Sequence, residues 1–148
     1  MDKMMAGGAG ERITHVDTID RYGHTSLMVA AREGNLAEVK ALLERGADAN
    51  ARSDKGKTSL HYAAANGRAD VVQALIQGGA MVDARDRDGH TPLMLAANYG
   101  CDQTIRTLLL FRADPFALSN AGSTALAYAE QNRHPQTLKI LIDALKPQ

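Results

Sequence analysis

Gly23, Gly56, Gly89 and Gly122 stand 33 residues apart, and the residues around each glycine repeat with it. A fixed period of this length forces the chain into stacked supersecondary units. One such unit cannot bury its own apolar face, so several must pack side by side. Aligned on the glycines, the chain reads Gly23-His-Thr-Ser-Leu-Met, Gly56-Lys-Thr-Ser-Leu-His, Gly89-His-Thr-Pro-Leu-Met and Gly122-Ser-Thr-Ala-Leu-Ala. Alanine pairs follow at Ala30-Ala31, Ala63-Ala64 and Ala96-Ala97, with Tyr128-Ala129 in the last unit. A second glycine comes at Gly34, Gly67 and Gly100, where the last unit has Arg133. Apolar pairs then recur at Leu42-Leu43, Leu75-Ile76, Leu108-Leu109 and Leu141-Ile142.

Local chemistry turns this pattern into helices. Thr25, Thr58, Thr91 and Thr124 are N-cap residues whose hydroxyls can accept from early helix N–H groups. Pro92 follows its threonine at the first helical position, where a missing N–H costs nothing. Gly34, Gly67 and Gly100 suit the left-handed turn that ends a short first helix. A second helix follows, as in Ala69-Asp-Val-Val-Gln-Ala-Leu-Ile, whose apolar residues share one face. The alanine pairs let the two helices come close. Leu60, Val72, Leu75, Ile76 and their counterparts should form one continuous core.

These residues resemble the ankyrin repeat. The matching elements are the Thr-Pro-Leu-His-like tetrapeptide (Thr58-Ser-Leu-His61 and Thr91-Pro-Leu-Met94), the alanine pair, the mid-unit glycine, the leucine pair and Gly46-Ala-Asp-Ala-Asn50. The likeness runs from about residue 16 to about 145. It implies an all-α solenoid of stacked helix–turn–helix units with hairpin loops, and protein–protein recognition as the activity. A flexible leader is expected over residues 1–15 and a repeat domain over 16–146, with units at about 20–52, 53–85, 86–118 and 119–146. Val16-Asp-Thr-Ile19 matches Ala49-Asn-Ala-Arg52 and reads as the hairpin strand of a preceding unit without its helices. Either it starts the stack by itself or the chain is part of something longer. The last unit reads as a cap, with Pro135 in its second helix and a polar outer side of Gln131, Asn132, Arg133, Gln136 and Lys139.

Composition narrows the partners. Lysine and arginine total 17 and so do aspartate and glutamate, so the formal charge is zero and gives no overall pull toward nucleic acid or an anionic membrane. No apolar run reaches the length of a membrane-spanning helix. The single cysteine, Cys101, excludes an intrachain disulfide and fits a reducing, cytoplasmic compartment. Gly7-Gly-Ala-Gly10 lacks the Lys-Ser/Thr that a phosphate loop requires.

No catalytic, cofactor or metal site is expected. The histidines are His15, His24, His61, His90 and His134. His24 and His90 occupy equivalent places two units apart, roughly 20 Å given interhelix spacings of about 8–10 Å, too far to share a metal. By the resemblance, His61 is a hydrogen-bonded residue that fixes the hairpin. Cys101 starts a second helix and is expected to be a small space-filling residue; a helix N-terminus can lower a thiol pKa, so a reactive cysteine is the alternative.

The resemblance places the partner surface on the hairpin tips and the exposed side of the first helices. The tips carry Arg21, Tyr22 and His24; Arg52, Asp54, Lys55 and Lys57; Arg85, Arg87, Asp88 and His90; and Asn120 and Ser123. The helix positions are Arg32, Glu33, Ala65, Asn66, Asn98 and Tyr99. Tyr22, Tyr99, Arg52 and Arg85 are the chief contact candidates, since tyrosine and arginine are enriched at binding hot spots. The central tips lean basic, which points to an acidic partner segment met by a monomer. Phe111, Phe116 and Leu118 break the pattern, standing where other units have polar residues. They are expected to pack on the capping unit; a partner anchor is the alternative. Arg112 replaces a C-capping glycine, so this helix end should differ in shape.

Overall fold

Threonine sets where the first helix of each unit begins. In the computed structural model, which describes residues 18–147, Thr25, Thr58, Thr91 and Thr124 are extended. Their hydroxyls accept from the N–H groups of Met28, His61, Met94 and Ala127. The expected leader and Val16-Asp17 lie outside the described residues; Ile19 pairs across the first tip with Thr25 in an isolated antiparallel bridge. Four helix pairs follow among the described residues. They are α1 (Ser26–Glu33) with α2 (Leu36–Glu44), α3 (Ser59–Ala65) with α4 (Ala69–Gln77), α5 (Pro92–Asn98) with α6 (Asp102–Leu110), and α7 (Ala125–Gln131) with α8 (Pro135–Leu145).

The pairs stack in register. The first helices form one layer, α1 on α3 on α5 on α7, and the second helices another, α2 on α4 on α6 on α8. Equivalent residues therefore meet in rows. Leu27, Leu60 and Leu93 are buried, as are Val39, Val72 and Ile105, and Leu42, Leu75, Leu108 and Leu141. They belong to a single apolar cluster that also holds the alanine pairs.

Glycine is demanded where one unit touches the next. Gly34, Gly67 and Gly100 have φ of 76°, 69° and 68°. A Cβ on them would meet Arg68 Cδ at 2.8 Å, Cys101 Sγ at 3.3 Å and His134 Nδ1 at 2.8 Å. Those side chains reach back over the glycine, Arg68 Nε donating to Arg32 O (3.2 Å) and His134 Nε2 to Asn98 O (3.0 Å). The exposed Arg133 makes the same left-handed turn in the last unit, at φ 59°.

Arg112 corrects an expectation. This helix end keeps the shape of its counterparts: φ is 69°, against 95° at Gly46 and 103° at Gly79. The next N–H closes on the same carbonyl, Ala113 to Leu108 as Ala47 to Leu42 and Ala80 to Leu75, each within 2.9–3.0 Å. Those bonds hold a conformation that costs a non-glycine residue about 1–2 kcal/mol.

His61 ties two units together. It is fully buried. Its Nδ1 accepts from the Thr58 N–H at 3.0 Å, so Nε2 carries the proton and donates to the His90 carbonyl at 2.9 Å. Burial pushes its pKa down from 6.5 to about 4, against the pull of the His90 carbonyl and Asp86. The unfolded chain therefore takes up this proton before the folded one does. The stability held by neutral His61 is complete above pH 6.5 and drains as pH falls toward about 4. The total is about 3 kcal/mol at about 1.4 kcal/mol per pH unit. Urea unfolding from pH 7 to 4.5 should show this loss, with a flatter dependence in His61→Gln; equal slopes would contradict the assignment.

One buried side-chain hydroxyl lacks a partner among the described residues. Thr137 donates to Asp102 Oδ1. One unit earlier the same positions are Thr104 and Ala69, so the buried Thr104 hydroxyl has no partner among the described residues. Thr104→Val should raise stability by about 1–2 kcal/mol by removing an unsatisfied hydroxyl, and Thr137→Val should lower it. Urea unfolding at pH 7 checks the two signs.

Candidate functional site

The hairpin tips form a hydrogen-bonded ladder along one edge of the stack. Each tip closes on itself, Asp20 N–H to His24 O, Ser53 to Lys57, Asp86 to His90 and Ser119 to Ser123, at 2.9–3.0 Å. Each is then joined to the next, Asp54 N–H to Tyr22 O (3.1 Å), Arg87 to Lys55 O (3.1 Å) and Asn120 to Asp88 O (3.0 Å). The side chains on this edge are thus mounted on a backbone fixed from both sides.

The tips alternate in chemistry, giving a 66-residue period that the sequence analysis missed. In the first and third tips a carboxylate fixes the turn. Asp20 accepts from the N–H groups of Tyr22 and His24, and Asp86 from those of Asp88 and His90, at 2.8–2.9 Å. In the second and fourth, Ser53 and Ser119 hydroxyls take that place and also accept from Tyr62 and Tyr128 at 3.0 Å. Each histidine then meets the tyrosine of the following unit edge-on, His24 with Tyr62 and His90 with Tyr128, both 5.4 Å between ring centres. The signal was visible as Asp-x3-His twice and Ser-x8-Tyr twice, one unit out of step.

Several candidate contact residues hold the fold. Arg52 Nη1 donates to Gly56 O (2.9 Å) and across the unit boundary to Arg85 O (2.5 Å). Lys57 Nζ lies 2.6 Å from Asp86 Oδ2, whose side chain is fully buried, so the basic lean of the central tips shrinks. Burial alone would raise the Asp86 carboxyl, but the hydrogen bonds from Lys57 and the His90 N–H and the Lys57 charge outweigh it and hold the carboxyl below the ordinary range. Asp20 is lowered chiefly by the His24 N–H. Asn98 Oδ1 accepts from Asn132 (2.7 Å), and Asn66 Nδ2 donates to the Tyr62 carbonyl (2.8 Å). Asp86, Asp88 and His90 bring potential ligand atoms within 4.8 Å of one another. The Lys57 ammonium already occupies the Asp86 oxygen that a metal would need, and the other oxygen takes two N–H groups.

Other candidates stand free. Tyr22 is 58% exposed, with the Arg21 guanidinium 6.0 Å from its ring centre. Tyr99 is 59% exposed. Arg85, Arg87 and Asp88 are exposed, and Arg32 is half-buried at the end of α1. Tyr22, His24, Arg32, Asp54, Lys55, Lys57 and Tyr62 surround a cleft of about 410 Å³.

A profile of ankyrin repeats in three copies matches residues 4–86 and again residues 78–147. The chain belongs to the ankyrin repeat family. One relative is the mouse (Mus musculus) protein described as "Protein fem-1 homolog A-like", 43% identical over 47 residues. That match covers 32% of this chain and 7% of the relative. Ankyrin repeats are in general protein–protein interaction modules. No helix among the described residues is long and apolar enough to cross a membrane.

One expectation changes within this ankyrin stack. Phe116 and Leu118 do not bury themselves on the last unit; they are 66% and 53% exposed, and Phe111 is half-buried. Phe116 takes the place of Asn50, whose side chain bridges to Gly79 O and Met81 N–H, and a phenyl ring cannot make that bridge. Cys101, by contrast, fills space as expected and is no activated thiol. Burial, then the Asp102 charge, pushes its pKa up. Its sulfur lies over Gly67 and 4.0 Å from Ala65 O, the place Arg68 and His134 fill at their own unit boundaries. Iodoacetamide at pH 7.5 should therefore alkylate Cys101 more slowly in the folded chain than in urea; faster labelling of the folded chain would contradict this.

Proposed function

We propose that this chain is a protein-binding module whose partner lies along the hairpin tips and the neighbouring side of the first helices. One observation carries the reading: exposed Tyr22, Arg85, Arg87 and Tyr99 make no side-chain hydrogen bond or ion pair among the described residues, the first three at tips locked by backbone bonds and Tyr99 at the C-terminal end of α5. A backbone already fixed has no freedom left to lose on binding, and tyrosine and arginine are enriched among the residues that dominate binding energy. His24, Asp54, Lys55, Asn66, Asp88, His90 and Asn98 complete the face, together with Arg52 and Lys57, which are tied to Arg85 O and Asp86. The reading takes the chain as a monomeric cytoplasmic scaffold or adaptor, which the balanced charge and the single half-buried thiol support. Where the captured partner is an enzyme, the same face makes the chain its regulatory or inhibitory subunit.

The test is affinity capture from the native lysate with wild type and with Arg85→Glu/Arg87→Glu/Tyr99→Ala, whose folding is verified by circular dichroism. A partner held by wild type should be lost by the folded variant. A partner kept by both would move the surface away from the tips, first to Phe116 and Leu118.

A further inference from the structure

The 66-residue period supplies a comparison within the molecule. The cleft between the first two tips has aromatic walls, Tyr22, His24 and Tyr62, and three cations, Arg32, Lys55 and Lys57. The equivalent place two units later keeps the frame: His90 and Tyr128 meet edge-on at the same 5.4 Å, over Ser119 in place of Ser53. It drops all of those charges, and Asp88 stands where the first cleft has Tyr22. Asn98 stands for Arg32, Ala121 for Lys55, Ser123 for Lys57 and Asn120 for Asp54. This second cleft is about 60 Å³, lined by Met94, Leu95 and Asn98 with the two rings. The fold thus builds this frame without the cations, so packing does not explain them.

We propose that the first cleft anchors an acidic side chain of an extended partner segment, and that the second takes an apolar residue of the same segment; this rests on the protein-binding reading. Lys57 is held in place by Asp86 at 2.6 Å, and neither Arg32 nor Lys55 makes an ion pair among the described residues. With Asp54 and Asp86 set against the three cations, one positive charge is left over, which one carboxylate matches. The walls exclude water from one side of that carboxylate, which strengthens charge-assisted hydrogen bonds from the guanidinium and ammonium groups. Two units separate the clefts by roughly 20 Å, which about six residues of extended chain span at about 3.3 Å each.

Selection of random dodecapeptides displayed on phage against the wild-type protein tests this. Selected peptides should carry aspartate or glutamate at one position and an apolar residue about six positions away. A synthetic peptide of the selected sequence should bind Arg32→Gln/Lys55→Gln at least about tenfold more weakly, since two charge-assisted contacts are lost. Selected binders with no acidic position, or equal affinity for the folded variant, would overturn the anchor and leave the protein-binding surface standing. Selection of no sequence at all would also overturn the anchor. The surface itself fails only if the Arg85/Arg87/Tyr99 variant keeps the captured protein.

Discussion

The whole architecture depends on how closely each unit approaches the next. At the tips, a Cβ on Gly23 would come within 2.7 Å of Asp54 Oδ1, one on Gly56 within 3.0 Å of the Arg87 nitrogen, and one on Gly89 within 2.7 Å of the Asn120 nitrogen. Only because these positions carry hydrogen can Asp54, Arg87 and Asn120 donate to Tyr22, Lys55 and Asp88 and turn separate turns into a ladder. The mid-unit glycines do the same beneath the side chains of Arg68, Cys101 and His134. The alanine pairs and the leucine rows then close-pack at the spacing these contacts set.

That spacing makes the surface chemistry possible. His61 reaches the His90 carbonyl, Lys57 reaches Asp86, and Arg52 reaches Arg85 O because each lies one unit's width from its partner. These bonds use up much of the polarity that a linear reading assigns to a partner. What remains uncommitted is a smaller set: exposed Tyr22, Lys55, Arg85 and Arg87 at the tips, and half-buried Arg32 and exposed Tyr99 at the ends of α1 and α5.

Much of this was legible from the chain. The 33-residue spacing of glycine, the threonine caps, Pro92 and the leucine rows all act within one unit, so their sequence spacing is their structural meaning. His61 was read as a hairpin-fixing residue by its tetrapeptide and does that in space. The cross-unit bonds were not legible, because their partners sit 29 to 36 residues apart and depend on the stacking register. The tie from Arg52 to the Arg85 carbonyl and the seat of Cys101 over Gly67 are of this kind. Arg112 was misjudged because residue type was taken to decide a turn that neighbouring hydrogen bonds can impose. The candidate contact surface is legible only in outline: exposure was assigned by unit position, which holds for Tyr99 and Tyr22 and fails to foresee bare Phe116 and Leu118.

One pair of substitutions tests the close-approach account most directly. Gly89 and Gly122 sit in the same turn at φ 77° and 80°, but Gly89 faces the next tip and Gly122 faces open space. Urea unfolding of Gly122→Ala should cost about 1–2 kcal/mol, the left-handed backbone alone. Gly89→Ala should cost about 1–3 kcal/mol more, because Asn120 and the tip it belongs to must move away. Equal costs would mean that the units do not depend on this approach, and the account of the ladder and of the face mounted on it would be wrong.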